Sequence, residues 1–278
     1  MKSNTAWLAS FPKSGNTWIR ALLNALESDS FPNLNSLDGG RNRAHDAVNP
    51  SLGLSLSELS EAEAIAVMRM SWSVDSNLAT SYTRRKTHQP YTFAADGFPA
   101  RWQPEGARAV YILRDPRAIA VSWAHHKGTT NEDSVRSMAR ADALVVRLGH
   151  EAHGGYDWVT WSEHVEGWIS QTDIPTLVLT YENLVAETVG CLRQIAEWLD
   201  IPYTEEKLAR AVEHCSFHNL AIMEIVEGFS EAASVERVFF RKGQINAWRT
   251  ELSPDLIAQI ESDHAIIMKR FGYLPFNS

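Results

Sequence analysis

The stretch TAWLASFPKSGNTWIRALLNAL, Thr5 to Leu26, joins a short apolar run to a Gly-containing turn and then to a helical pattern. The run Thr5–Ser10 reads as a strand, and Ile19, Leu22, Leu23 and Leu26 share one face of a helix predicted from Thr17 to about Glu27. A strand that enters such a turn and leaves as a helix aims backbone N–H groups and a helix N-terminus at an anion. Lys13 adds a full charge there, and Ser14 and Thr17 add hydroxyls. A standard phosphate loop has two glycines, with lysine directly after the second. Here Lys13 precedes Gly15 and no glycine comes earlier, so the loop is shorter and its lysine approaches from the other side. A plain strand-to-helix turn explains four turn-forming residues equally well. Trp18 tips the reading, because its ring can lie on a purine while the loop holds the phosphate of the same nucleotide.

Two further apolar runs repeat the pattern. RAVYILR (Arg108–Arg114) leads into DPRAIAVSWAHH, where Asp115 is a natural N-cap and Pro116 fits the first helical position. PTLVLTY (Pro175–Tyr181) leads into Thr188–Leu199, with Leu192, Ile195, Ala196 and Leu199 at helical spacing. Strand then helix, repeated, predicts an α/β protein: a three-layer, phosphate-loop-like fold with a central, mostly parallel sheet flanked by helices. A helix is also predicted from Glu61 to Met70, announced by the capping box Ser60 to Glu63, and a last one from Pro254 to just before Gly272. Residues 28–56 are rich in Asn, Ser, Gly and Asp, and residues 127–160 carry four glycines around a helical middle. Both read as long loops or a lid within one domain spanning 1–278.

Hydrophobic residues make up 44% of the chain and charged residues 22%, with no apolar run long enough to span a bilayer. A net charge of -8 argues against nucleic acid or an anionic membrane as a general partner, so any polyanion is bound locally. The basic residues cluster at Lys13, at Arg84, Arg85 and Lys86, at Arg114 and Arg117, and at Arg241 and Lys242. Cys191 and Cys215 lack metal spacing and are too few for a disulfide framework, which fits a reducing compartment. The opening residues have too short an apolar stretch for a signal peptide, so a cytoplasmic protein is expected.

The octapeptide FPKSGNTW, Phe11–Trp18, resembles the 5'-phosphosulfate loop of sulfotransferases that use 3'-phosphoadenosine 5'-phosphosulfate (PAPS), and three more segments match that family in order. The resemblance implies that Lys13, Ser14, Gly15, Asn16 and Thr17 hold the donor and that Trp18 stacks on its adenine. RKTHQP, Arg85–Pro90, resembles the family's Lys-Thr-His-x-Pro stretch and implies His88 as catalytic base, with Lys86 beside the transferring group. A neutral imidazole suits an acceptor hydroxyl that loses its proton as it attacks sulfur.

In LRDPRAIAVSW, Leu113–Trp123, Arg114 ends a strand and Ser122 lies two turns into the next helix, so the pair can flank one compact anion. The resemblance assigns them the donor's 3'-phosphate; the plainer alternative pairs Arg114 with a carboxylate and packs Ser122 on its helix. FRKGQINAW, Phe240–Trp248, resembles the family's Arg-Lys-Gly stretch, in which Arg241 and Lys242 close over the same phosphate and Gly243 brings backbone N–H groups near. The family usually has Gly-Asp before this tryptophan, where Asn246 and Ala247 stand here, so the loop's shape is expected to differ. Tyr181, Cys215 and Phe217 fall where the family touches adenine, with Phe217 opposite Trp18 and Cys215 in place of a common threonine. A metal reading of His214, Cys215 and His218 lacks a fourth ligand.

Together these segments imply sulfuryl transfer from PAPS to a hydroxyl, less readily an amine, without a metal. Lys13 would neutralise the leaving group and Lys86 the equatorial sulfuryl oxygens. The alternatives are a phosphate-loop ATP-dependent kinase, which wants lysine directly after glycine and an acidic magnesium site, and a non-catalytic nucleotide-binding protein. The acceptor is expected to be a small molecule reached between the two long loops. The ten tryptophans, Trp72, Trp102, Trp123, Trp158, Trp161 and Trp168 among them, offer material for an apolar pocket. The family's dimerisation motif is not recognisable in Trp248–Glu261, so no oligomeric state is carried over.

Overall fold

Thr5–Ser10 forms β1, and all 6 of its residues are buried, as a strand covered on both faces requires. The computed structural model describes residues 5–37, 63, 82–91, 106–139, 159–232, 238–241 and 243–275. Among them, α1 (Asn16–Ser28) is followed by β2 (Thr83–Thr87), β3 (Arg108–Leu113), α2 (Pro116–Lys127), α3 (Asn131–Ala139), α4 (Trp161–Ser170) and β4 (Thr176–Thr180). Then come α5 (Tyr181–Ala186), α6 (Thr188–Trp198), α7 (Glu205–His214), α8 (Phe217–Glu227), α9 (Trp248–Glu251), α10 (Pro254–Asp263) and α11 (Ala265–Arg270).

The described strands pair in parallel in the order β2-β1-β3-β4, with Ala9 of β1 opposite Thr87 on one side and Tyr111 on the other. Because strand side chains alternate, one sheet feeds two cores. Trp7, Ala9, Tyr111 and Leu113 pack with Trp123, Val135, Trp161, Trp168 and Ile260 on one face. Ala6, Leu8, Val110 and Ile112 pack with Ile19, Leu22, Leu192, Ile195 and Leu208 on the other. The result is the three-layer α/β arrangement that the sequence predicts.

From β1 the chain crosses to β2 on one side and then to β3 on the other, so the strand order reverses at β1. In open α/β sheets the crevice outside the carboxyl ends at such a reversal is the ligand site. Those ends are Ser10, Thr87, Leu113 and Thr180.

The sequence reading did not foresee α4, α5, α7 and α8, and Tyr181, read at the end of a strand run, opens α5; two further elements differ from expectation. TRRKT forms β2, an edge strand among those described, made by pairing with β1 rather than by apolar patterning; its cations are largely covered, and Arg84 pairs with Glu27 at 2.6 Å. The helix from Pro254 is two helices, broken at His264, whose ring Nδ1 lies 2.9 Å from the Ser162 hydroxyl of α4. The expected cap at Asp115 is present, its carboxylate accepting from Arg117 N–H at 2.9 Å with Pro116 next in the chain. The helical middle of 127–160 is α3. Residues 38–56, 140–158 and 233–237, the helix predicted from residue 61 except Glu63, Trp72, Trp102, Trp158 and Lys242 lie outside the described residues. Among those described, no helix is long and apolar enough to cross a membrane.

Several histidines are buried as neutral rings. Burial holds His164 and His264 down to about 4 and His88 down to about 3. An unfolded histidine titrates near 6.5, so below that pH the unfolded chain takes up protons that the folded chain refuses. Stability is therefore complete above about pH 6.5 and is lost as pH falls, by up to about 1.4 kcal/mol per pH unit for each ring. Urea unfolding midpoints should drop between pH 7 and pH 5. Equal midpoints would show that these rings are not held neutral by the fold.

Candidate active site

The turn between β1 and α1 is built for an anion. Gly15 caps α1 with φ 103 and has no side-chain acceptor, so the first-turn N–H groups of the helix are left for another partner. A Cβ on Gly15 would sit 2.7 Å from Tyr181 Cδ2, so contact as well as conformation demands glycine. Asn16 braces the turn, its amide donating to Leu8 O at 2.8 Å. Lys13 is left-handed at φ 65, a backbone cost of about 1 kcal/mol or more that aims its ammonium at the strand ends.

Three cations from three strand ends meet here. Arg114 follows β3, donates to Lys13 O at 2.8 Å and lies 4.1 Å from the centre of the Tyr181 ring, which follows β4. The Lys13 ammonium sits 3.8 Å over the Phe239 ring. Lys86, the penultimate residue but one of the β2–His88 segment, donates to Glu231 at 2.7 Å, and the other oxygen of Glu231 takes Arg20 at 2.8 Å. Burial first, then the charges of Arg114 and Lys86, push Lys13 down to about 7. Burial also lowers Lys86, opposed chiefly by Glu231. Glu231, although burial works against it, is held down to about 2 by Lys86 and Arg20.

His88 follows β2 directly. Its Nδ1 lies 2.9 Å from Ser10 O, which can only accept, so Nδ1 carries the proton and Nε2 is bare. Burial and the charge of Lys86 keep the ring neutral.

A cavity of about 570 Å³, well within the range of small-molecule sites, is lined by Lys13, Gly15, Asn16, Thr17, Trp18, Lys86, His88, Arg114, Ser122, Tyr181, Phe217, Arg241 and Gly243. Residues read from four separate segments thus come together. Trp18 is fixed edge-on by its indole N–H, which donates to Cys215 O at 2.9 Å. Gly243 is pressed on Phe217, where a Cβ would come within 2.6 Å of the ring.

Several sequence expectations fit less simply. The Cys215 thiol is fully buried and does not line the cavity; it is the backbone carbonyl of Cys215 that meets Trp18. Ser14 is buried behind the wall. Arg241 lines the cavity, but its guanidinium is held by both oxygens of Glu251, at 2.9 and 3.0 Å. Arg117, one of the clustered cations, belongs to the scaffold, tied to Asp115 and Glu261. Trp161 and Trp168 are core residues, whereas Trp123 reaches the cavity. His214 stacks on Phe31, and no group of metal-ligating side chains occurs among the described residues.

The sequence reading missed Phe239, Phe240, His126 and Glu231, all of which line the cavity. The two phenylalanines directly precede Arg241 and were legible by adjacency. Glu231 is a lone carboxylate in an irregular stretch and gave no signal. Glu224 of α8 accepts the backbone N–H of Phe240 at 2.8 Å and so holds this aromatic pair in place.

A parallel sheet whose strand ends gather cations, an uncapped helix N-terminus and a neutral imidazole around one cavity defines a group-transfer enzyme of the nucleotide-binding α/β class. The family model described as "Sulfotransferase domain" matches residues 3–272, and the chain belongs to that family. It is a sulfotransferase, and the sulfuryl donor is PAPS. The kinase and the non-catalytic alternatives give way to this assignment.

Among curated relatives, cytosolic sulfotransferase 17 of Arabidopsis thaliana is 27% identical, the alignment covering 100% of this chain and 78% of the relative. Flavonol 3-sulfotransferase of Flaveria bidentis is 26% identical over 93% of this chain and 80% of its own length. A mouse sulfotransferase complexed with PAP has the same fold, with a TM-score of 0.62 at 17% identity over 95% of this chain and 84% of that one. Retinol dehydratase, in complex with androsterone and inactive cofactor PAP, gives 0.61 at 20% identity, covering 100% and 83%.

The residues present fit a donor of this kind. Ser14 Oγ and Arg114 Nε are buried without a hydrogen-bond partner in the structure, and Arg114 lines the cavity. The ion pairs of Glu231 yield a prediction. Replacing Glu231 by Gln leaves Lys86 short of its carboxylate and removes one partner of Arg20, and should cost about 3 kcal/mol in urea unfolding. It should also move the alkaline fall of the rate profile to lower pH, because Glu231 favours the charged form of both Lys13 and Lys86. An unchanged profile would rule out the carboxylate as the group that keeps Lys86 charged.

Proposed function

We infer that this sulfotransferase moves a sulfuryl group to a hydroxyl of a small-molecule acceptor, less readily to an amine, with His88 as general base and no metal, in a single domain spanning 1–278. PAPS supplies the sulfuryl group and the phosphate leaving group. Lys13, the N–H groups of Gly15, Asn16 and Thr17, and the Ser14 hydroxyl would hold the phosphosulfate end. Trp18 and Phe217, with Tyr181 at the edge, would enclose the adenine. Arg114 and Ser122 would hold the 3'-phosphate, with Arg241 shared between that phosphate and Glu251, and Lys242 completing the set.

One observation carries the base assignment. Because Ser10 O can only accept, the His88 tautomer leaves Nε2 free to take a proton, and the depressed basicity keeps that nitrogen bare at neutral pH. The acceptor hydroxyl would present its proton to Nε2 while its oxygen advances on sulfur. Lys13 and Lys86 then stand beside the charge that develops, already desolvated and needing no rearrangement during the reaction. Balancing charge by ammonium groups rather than by an ion fits a group with less charge than a phosphoryl.

A small hydroxylated acceptor is supported by the mixture of aromatic and polar walls, Phe239, Phe240, Trp123 and His126, and by the flavonol named for one relative. The relatives named cytosolic and the free thiols of Cys191 and Cys215 support a cytoplasmic setting.

The test is a panel of phenols, alcohols and amines with radiolabelled PAPS, run with and without EDTA. Sulfation of a hydroxyl that survives EDTA is expected; activity abolished by the chelator would overturn the metal-free reading. His88→Ala should lower kcat by about a hundredfold or more while calorimetric affinity for PAP stays within about twofold. Full turnover in that variant removes the base. Arg114→Ala should weaken PAP by about tenfold or more, as expected for a lost charge-assisted bond, with ATP binding less affected.

A further inference from the structure

Behind His88 lies a second buried histidine that the reaction as described does not use. His164, on α4, is 2% exposed and meets Phe11 edge-on at 5.4 Å. Its Nε2 is 3.1 Å from the backbone oxygen of His88, and its Nδ1 is 2.9 Å from the Tyr111 hydroxyl of β3. A carbonyl oxygen only accepts, so Nε2 must carry the proton. Nδ1 is then bare, and Tyr111 must be the donor to it. Both ring nitrogens are satisfied only in this tautomer of the neutral ring. Burial agrees, holding His164 down to about 4 and raising the Tyr111 hydroxyl.

The same helix grips the neighbouring residues of that segment. Trp168, one turn after His164 on the same face of α4, donates its indole N–H to Gln89 O at 2.9 Å. Gly167 between them lies so close that a Cβ would stand 2.8 Å from Tyr91 O, so α4 reaches this backbone only because residue 167 is glycine. Consecutive carbonyls, those of His88 and Gln89, are thereby fixed by one rigid helix, and the Thr87 hydroxyl takes Gln89 N–H at 3.0 Å from the strand side.

We propose that α4 is a clamp that sets the position of the base, with His164, seated by Tyr111, as a positioning residue for sulfuryl transfer that acts through the backbone of His88. The inference rests on the reading of His88 as base.

A double-mutant cycle tests it, read as kcat at saturating PAPS, KM for PAPS, PAP affinity and thermal midpoint. His164→Phe should lower kcat by about tenfold or more, a loss in keeping with a base displaced by a fraction of an ångström, with KM for PAPS and PAP affinity within about twofold. His164→Gln, whose amide can still donate towards His88 O, should recover most of that loss. In a His88→Ala background, His164→Phe should cause no further loss, because its effect passes through the missing ring. Should His164→Phe fail to fold, Tyr111→Phe carries the same cycle: it leaves His164 Nδ1 without its donor, loosens the seat of the ring and should lower kcat by about threefold or more, again only when His88 is present. Equal losses with and without His88, or unchanged kcat in both His164→Phe and Tyr111→Phe, would overturn the clamp alone. Full turnover in His88→Ala would overturn the base and the clamp together.

Discussion

The constraint on which this molecule turns is the crowding of positive charge in a desolvated place. Lys13, Lys86 and Arg114 arrive from three strand ends at one cavity, and low local dielectric makes their mutual repulsion strong. Each is met differently. Lys86 shares a full carboxylate with Arg20, Lys13 rests on an aromatic face, and Arg114 is held between a backbone carbonyl and the Tyr181 ring. Among the described residues neither Lys13 nor Arg114 has a carboxylate bonded to it. On the proposed reading, a donor with phosphate at both ends would supply what those two cations lack and relieve the repulsion that weakens the unliganded site.

The scaffold tolerates this crowding because the sheet is rigid where the cations leave it. β1 and β3 are wholly or almost wholly buried, and their side chains anchor a core on each face. Functional groups placed one to three residues beyond such strands inherit their precision. The segment from residue 238 onward is different, since it is held by side-chain carboxylates rather than by a sheet. Glu224 takes the backbone of Phe239 and Phe240, and Glu251 takes Arg241. The family's usual Gly-Asp is absent at Asn246 and Ala247, where the loop turns into α9, and the ion pair from Arg241 to Glu251 ties the loop to that helix.

Legibility in the sequence followed the range of the interaction. β1, β3 and β4 could be read from local apolar runs, α1 and α2 from periodicity and capping, and the turn at Lys13–Gly15 from the residues it needs. β2 could not, because TRRKT owes its strand state to the hydrogen bonds of β1, a partner some seventy-eight residues away. The break at His264 was hidden for the same reason, being tied to Ser162 on another helix. In the site, His88 and Arg114 were legible through segments that resemble a family. Glu231 and His164 were not, since a single carboxylate or imidazole declares nothing until its partners are in view. Cys215 was read as a cavity residue by order along the chain, but its thiol is buried away from the cavity and only its carbonyl meets Trp18.

Lys13 carries a last consequence. A glycine in its place would relax a left-handed backbone and ease folding, yet would delete the ammonium at the centre of the site. Local comfort and chemical usefulness pull in opposite directions at this one residue. Any search for more heat-resistant descendants of the enzyme that rewards folding alone would drift towards the residue without the ammonium, so such a screen has to score turnover alongside survival.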